Sequence, residues 1–111
     1  MQMESKKKVL FVCSQNKLRS PTAEKVFSSH PGIEVLSAGT NNDAEVTLSP
    51  ELVLWADVIF VMEEIHKNKL QKKFGKYLNK QRVIVLNIPD RYYFMDSQLV
   101  AILNKIVPGL L

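Results

Sequence analysis

Cys13 and Arg19 bracket the run Cys13-Ser14-Gln15-Asn16-Lys17-Leu18-Arg19-Ser20-Pro21, and Cys13 is the only cysteine in the chain. Five residues between a thiol and a guanidinium are enough to wrap a small loop whose backbone N–H groups converge on an anion. The arginine then supplies a planar, two-pronged donor for phosphate oxygens. Sulfur below such a cup is placed to attack phosphorus. Cys13 is therefore the expected nucleophile, Arg19 the expected phosphate ligand, and Ser14, Gln15, Asn16, Lys17, Leu18 and Ser20 the expected substrate-binding loop. The competing reading of a lone cysteine is a small buried hydrophobe, which leaves Arg19 at this offset unexplained.

Two elements must hold that loop. Lys8-Val9-Leu10-Phe11-Val12-Cys13 is a short, nearly unbroken apolar run, the pattern of a strand buried on both faces of a parallel sheet. After the loop, Ser20 is a good N-cap and Pro21 suits a first helical position, with Ala23, Val26 and Phe27 at helical spacing. The helix N-terminus would then turn its positive end to the loop, which favours an anion there and the thiolate form of Cys13. Ser20 has a second job open to it, a hydrogen bond to the thiolate, including the thiolate that leaves when a phosphoenzyme breaks down.

The remaining periodicity gives strands at 33–37, 57–62 and 82–87 and helices at 20–29, 50–56, 64–74 and 97–107. Such alternation implies an α/β fold with a parallel sheet. In an open α/β sheet the site lies at the carboxyl ends of the strands near the switch point, bringing the loops after strands one and four together. The second loop carries Asp90, the expected proton donor to a leaving oxygen. Its rival Asp96 reads as the N-cap of the last helix, because Leu99, Val100, Leu103, Ile106 and Val107 follow at helical spacing.

Residues 8–27 resemble the low-molecular-weight protein tyrosine phosphatase family, whose loop reads Cys-x5-Arg-Ser-Pro directly after the first strand. Further similarity runs through Ser37-Ala38-Gly39-Thr40, Ala56-Asp57-Val58-Ile59-Phe60-Val61-Met62 and Ile88-Pro89-Asp90-Arg91-Tyr92-Tyr93. The resemblance implies a three-layer sandwich on a four-stranded parallel sheet of order 2-1-3-4. It also implies a phosphomonoesterase working through a cysteinyl phosphate, with Asp90 as general acid and base and no cofactor. Asn16 would hold the loop's shape, Ser20 would steady the thiolate and Tyr92 would stack on an aryl phosphate, Tyr93 merely packing its loop. The implied partners are a phosphorylated substrate, either a phosphotyrosine protein or a small phosphate ester, and a phosphate or sulfate anion in the loop.

This chain departs from the family at Gln15, where glycine is usual, and at Arg91, where the Asp-Pro-Tyr proline and its preset φ are missing. Leu18 stands where many members have a second cysteine. Without a second thiol, Cys13 has no internal disulfide to protect it from irreversible oxidation, and the arsenate reductases, which rely on extra cysteines, are disfavoured. The segment from Asn41 to Trp55 is shorter than the family's, which predicts a shallower, more open pocket.

At 111 residues, 46% apolar and 23% charged, the chain reads as one compact domain spanning 1–111. A net charge of +4 favours anionic partners in general. Lys67, Lys69, Lys72, Lys73, Lys76 and Lys80 cluster on and after the third helix, a pattern more often a solvated face than a nucleic-acid surface, since no aromatic ladder interleaves it. His30 and His66 have no neighbours at metal-ligand spacing, so no metal is implied; His66 reads as surface or structural. Trp55 shares a stripe with Leu52 and Ala56 and is expected to pack on the core. The apolar stretch behind Lys6, Lys7 and Lys8 is too short for a signal peptide or membrane span, so the expected location is the cytoplasm, in keeping with an unpaired thiol. Two readings compete with the hydrolase: a cysteine phosphocarrier, which would lack Arg19 and the acid loop, and a catalytically silent module that binds phosphorylated ligands.

Overall fold

The computed structural model describes residues 6–111. Four strands, β1 (Lys7–Cys13), β2 (Ile33–Gly39), β3 (Val58–Val61) and β4 (Arg82–Val85), form one parallel sheet in the order β2-β1-β3-β4. Between them run α1 (Arg19–Phe27), α2 (Pro50–Trp55) and α3 (Glu64–Phe74), and α4 (Ser97–Ile106) follows β4. Short 3-10 turns at Gly75–Tyr77 and Pro108–Leu110 extend α3 and α4. The architecture is the expected three-layer sandwich.

Its layers follow from the two-residue period of β1. Val9, Phe11 and Cys13 face one core with Ala23 and Phe27 of α1 and Leu99 and Leu103 of α4. Leu10 and Val12 face the opposite core with Val53 of α2 and Leu70 of α3. Phe11 anchors the first core by stacking on Phe27 at 5.8 Å and on Phe60 at 5.3 Å between ring centroids. Residues 9–12 are fully buried, as the apolar run requires of a central parallel strand. Cys13 thus ends β1 on the α1 and α4 face, directly beneath the start of α1.

Differences from the sequence reading lie at element ends. Strand β2 continues to Gly39, because Ala38 and Gly39 stay in register with Val12 and Cys13. Helix α1 starts at Arg19, with Leu18 at the N-cap position and no side-chain cap. Ser20 is therefore inside the helix rather than capping it, its hydroxyl having been taken by the loop. Thr22 ties the first turn instead, through Oγ1 to the Leu18 carbonyl at 2.6 Å. Asp96 does cap α4, accepting from the Gln98 N–H at 2.9 Å. Trp55 is partly buried against the α2 and α3 core.

Gly39 fixes how closely β2 approaches the loop. A Cβ there would lie 2.5 Å from the Ser14 carbonyl oxygen and 2.6 Å from Ala44 Cβ, contacts no side chain tolerates. The close approach lets the Thr40 N–H donate to the Cys13 carbonyl (2.9 Å) and the Asn41 N–H to that of Ser14 (3.0 Å). Gly39→Ala should therefore cost about 1–3 kcal/mol through forced backbone displacement, a fall in Tm of several degrees. Gly75→Ala, at a helical position with no atom nearby, should be neutral or slightly stabilising. Thermal unfolding of the two variants by circular dichroism checks the contrast, and equal Tm values would contradict it.

Candidate active site

The loop between β1 and α1 turns on Asn16, whose φ of 57° lies in the left-handed region, where asparagine is better tolerated than most residues. That backbone turns the Asn16 side chain into the protein, and it is 4% exposed. Its Nδ2 donates to Ser20 Oγ and to Ser37 Oγ, both at 2.9 Å, and its Oδ1 accepts from the Val46 N–H at 3.1 Å. One side chain thereby joins the loop, α1, β2 and the segment beyond β2. Ser37 passes the connection on by donating to Glu24 of α1.

The sulfur sits inside this frame. Cys13 Sγ lies 2.9 Å from Ser20 Oγ and accepts from the Asn16 N–H at 3.3 Å. A sulfur held by two such contacts cannot swing away from the loop.

Arg19 is only 3% exposed, and a guanidinium at that depth needs partners. Its Nη1 donates to Glu63 Oε2 at 2.6 Å and to the Ile88 carbonyl at 2.7 Å. Glu63 follows β3 and Ile88 follows β4, so the arginine is braced by the carboxyl ends of two neighbouring strands. With both Nη1 protons engaged, the Nε–H and the Nη2 protons remain to serve an anion. Asp90 Oδ1 stands 3.7 Å from Nε, on a side chain that is 65% exposed.

These groups enclose a cavity of about 180 Å³ lined by Cys13, Ser14, Gln15, Lys17, Leu18, Arg19 and Asp90. A thiol, a guanidinium and a carboxyl group thus meet from the two loops that the sheet topology brings together.

Low molecular weight phosphotyrosine protein phosphatase is the family whose model matches, over residues 8–54. The structure is similar to the YwlE arginine phosphatase of Geobacillus stearothermophilus, with 22% identity, a TM-score of 0.74, and 94% of this chain and 92% of that one covered. It is also similar to Vibrio vulnificus Wzb in complex with benzylphosphonate, at 22% identity and a TM-score of 0.76, covering 96% and 97%. The low molecular weight protein tyrosine phosphatase of T. tengcongensis matches at 20% identity and a TM-score of 0.73, covering 93% and 99%. No curated protein sequence matches. The chain has the low-molecular-weight phosphotyrosine phosphatase fold. It resembles that family in sequence over its first half and in architecture throughout.

Of the residues read from sequence, Ser14, Gln15, Lys17 and Leu18 line the phosphatase-like cup with Cys13, Arg19 and Asp90, whereas Asn16 and Ser20 lie beneath it as scaffold. Tyr92 is not at the cup. Its ring is 6% exposed within the α1 and α4 core, and the Arg91 guanidinium lies over it at 5.6 Å. Burying this ring anchors the Asp90 loop where the family's proline is absent, while Tyr93 is 80% exposed. The Met95 N–H, donating to Thr22 Oγ1 at 2.9 Å, ties the far end of the loop to α1.

Two residues escaped a functional reading from sequence. Glu63 had no motif, although a carboxylate immediately after a buried apolar strand, at the sheet's carboxyl end, is a usable signal. His66 is fully buried, which removes the surface alternative. Its Nδ1 accepts from the Glu63 N–H at 3.0 Å, which leaves Nε2 protonated and donating to Ser14 Oγ at 2.8 Å. Desolvation by burial foremost, and then the nearby Arg19 charge, lower its pKa from 6.5 to about 4, with Lys69 acting in the same sense and Glu63 and Asp90 opposing. The ring is therefore neutral at pH 7, holding the loop through a neutral tautomer.

A histidine whose folded pKa is depressed binds fewer protons folded than unfolded between about pH 4 and 6.5. Its contribution to stability is then full above pH 6.5 and is lost as pH falls towards 4. The wild type should accordingly lose Tm across that window, and His66→Gln should flatten the slope while lowering Tm at pH 7. Melting curves at half-unit pH steps measure both, and an unchanged slope in the variant would rule out His66 as its source.

Proposed function

We propose that the chain is a phosphomonoesterase that forms a cysteinyl phosphate on Cys13. The observation that carries this reading is the convergence of Cys13, the braced guanidinium of Arg19 and the Asp90 carboxyl on one small cavity. Arg19 and the loop bind the phosphate, whose oxygens compete with Asp90 for the Nε–H. The Cys13 thiolate attacks phosphorus, the ester P–O bond breaks, and Asp90 gives its proton to the departing oxygen. Asp90 then takes a proton from water as that water attacks the cysteinyl phosphate. Inorganic phosphate leaves and the thiolate is restored, with Ser20 and the Asn16 N–H receiving its charge. Arg19 stabilises the equatorial oxygens through both displacements.

The substrate class is a phosphotyrosine protein or a small phosphate ester. Among similar structures, one is an arginine phosphatase and another, from Escherichia coli K30, a tyrosine phosphatase in complex with phosphate. The cup of this chain is rimmed by Lys17 and the exposed Leu18 rather than by a tyrosine, which favours permissive recognition of the group that carries the phosphate. A single free thiol suits a reducing compartment, and we place the protein in the cytoplasm on that chemistry.

Incubation with para-nitrophenyl phosphate tests the reading. Continuous release of nitrophenol is expected, whereas one stoichiometric burst would indicate a carrier and none a binding module. Cys13→Ser should abolish turnover. Asp90→Asn should cost about 10²–10⁴-fold in kcat for a substrate with a poor leaving group. Full turnover by the serine variant would overturn the mechanism.

A further inference from the structure

A second cavity, of about 540 Å³, is lined by Thr40, Asn41, Asn42, Lys69, Lys72 and Lys73. Its floor is the segment whose N–H groups at Thr40 and Asn41 bond the Cys13 and Ser14 carbonyls. Its wall is α3, on which Lys69 and Lys73 follow His66 by three and seven residues, roughly 4.5 and 10.5 Å along the helix axis. His66 itself touches Ser14, which lines the cup and whose carbonyl accepts from Asn41, so both walls of the groove are bonded to the same cup residue.

Two features separate this groove from an ordinary solvated lysine face. First, Lys69 Nζ donates to Asn41 Oδ1 at 3.2 Å and Lys73 Nζ to Asn42 Oδ1 at 3.1 Å. The ammonium groups are thereby positioned by neutral amides, which leave their charge intact and two N–H donors free on each; no carboxylate is among the lining residues. Second, Thr40 is 5% exposed and its Oγ1 is buried without a hydrogen-bond partner among the described residues. An unpaired buried hydroxyl costs stability, and this one belongs to a residue that lines the same groove.

We infer that this groove is a second anion subsite, and that the preferred substrate is a phosphate monoester carrying another phosphate or carboxylate group. The scissile phosphate enters the cup while the second anion lies along α3, taking the Thr40 hydroxyl and the free ammonium protons of Lys69, Lys72 and Lys73. The inference rests on the phosphatase reading above.

The test compares kcat/KM within two substrate pairs: a short phosphotyrosine peptide flanked by glutamates against the same peptide flanked by alanines, and an alkanediol bisphosphate against the alkyl monophosphate. Wild type should favour the dianionic member of at least one pair about tenfold, and the pair that responds identifies the source of the second anion. In Lys69→Gln/Lys73→Gln that ratio should fall towards one. In Lys76→Gln/Lys80→Gln, which removes the same charge outside the groove, it should persist. Thr40→Val should lower the ratio without lowering Tm, since no intramolecular bond is lost. A wild-type ratio near one in both pairs, or equal losses in the two lysine variants, overturns the subsite while leaving the phosphatase reading intact. No release from para-nitrophenyl phosphate overturns both.

Discussion

The inward-turned side chain of Asn16 is the constraint on which the rest of the site depends. A left-handed backbone at a non-glycine residue costs on the order of 1 kcal/mol, and three hydrogen bonds to otherwise buried partners offset it. Those bonds connect the loop to Ser20, Ser37 and Val46, which lie on three different segments. Without them the loop would have no reason to curl over Cys13 rather than continue the strand. Gly39 provides the matching vacancy on the β2 side, since any Cβ there would push against the Ser14 carbonyl and the Asn16 amide. A polar hub and a missing side chain thus define the cup jointly.

Around that hub, charge is managed by burial. Arg19 is nearly inaccessible, yet its charge is balanced by Glu63 and solvated in part by the Ile88 carbonyl. This arrangement fixes the plane of the guanidinium before an anion arrives, so less ordering is left for the binding step. His66 serves the opposite wall in neutral form, because a second positive charge beside Arg19 would be repelled and poorly solvated. The result is one fixed cation and one fixed thiol, and a carboxyl at the rim that is more exposed than either.

Much of this was legible in the amino-acid order. The unbroken apolar run of β1 announced a central parallel strand, and the alternation of strands and helices led to the right elements within two residues at their ends. The Cys13-to-Arg19 spacing located the cup, and the element order put Asp90 at the same end of the sheet. What escaped was long-range. Ser20 has the chemistry of a helix cap, and only the three-dimensional proximity of Cys13 and Asn16 shows that its hydroxyl is spoken for. Tyr92 and Tyr93 are adjacent and chemically alike, so sequence could not tell which ring turns to the core. Glu63 and His66 belong to no motif; their contacts arise because β3 ends beside the loop.

The stretch between β2 and α2 joins these pieces to the surface beside them. It runs beside the loop, with the Asn41 and Glu45 N–H groups bonded to the carbonyls of Ser14 and Gln15 and Gly39 bridged to Thr47. Its asparagines face α3 beyond His66, where Asn41 and Asn42 accept from Lys69 and Lys73. The same residues that hold the Cys13 loop therefore floor the basic groove. Loop support and the shape of the groove are in this chain properties of one short segment, so a change that lengthens it to shield the groove must also alter the bonds that keep the cup in shape.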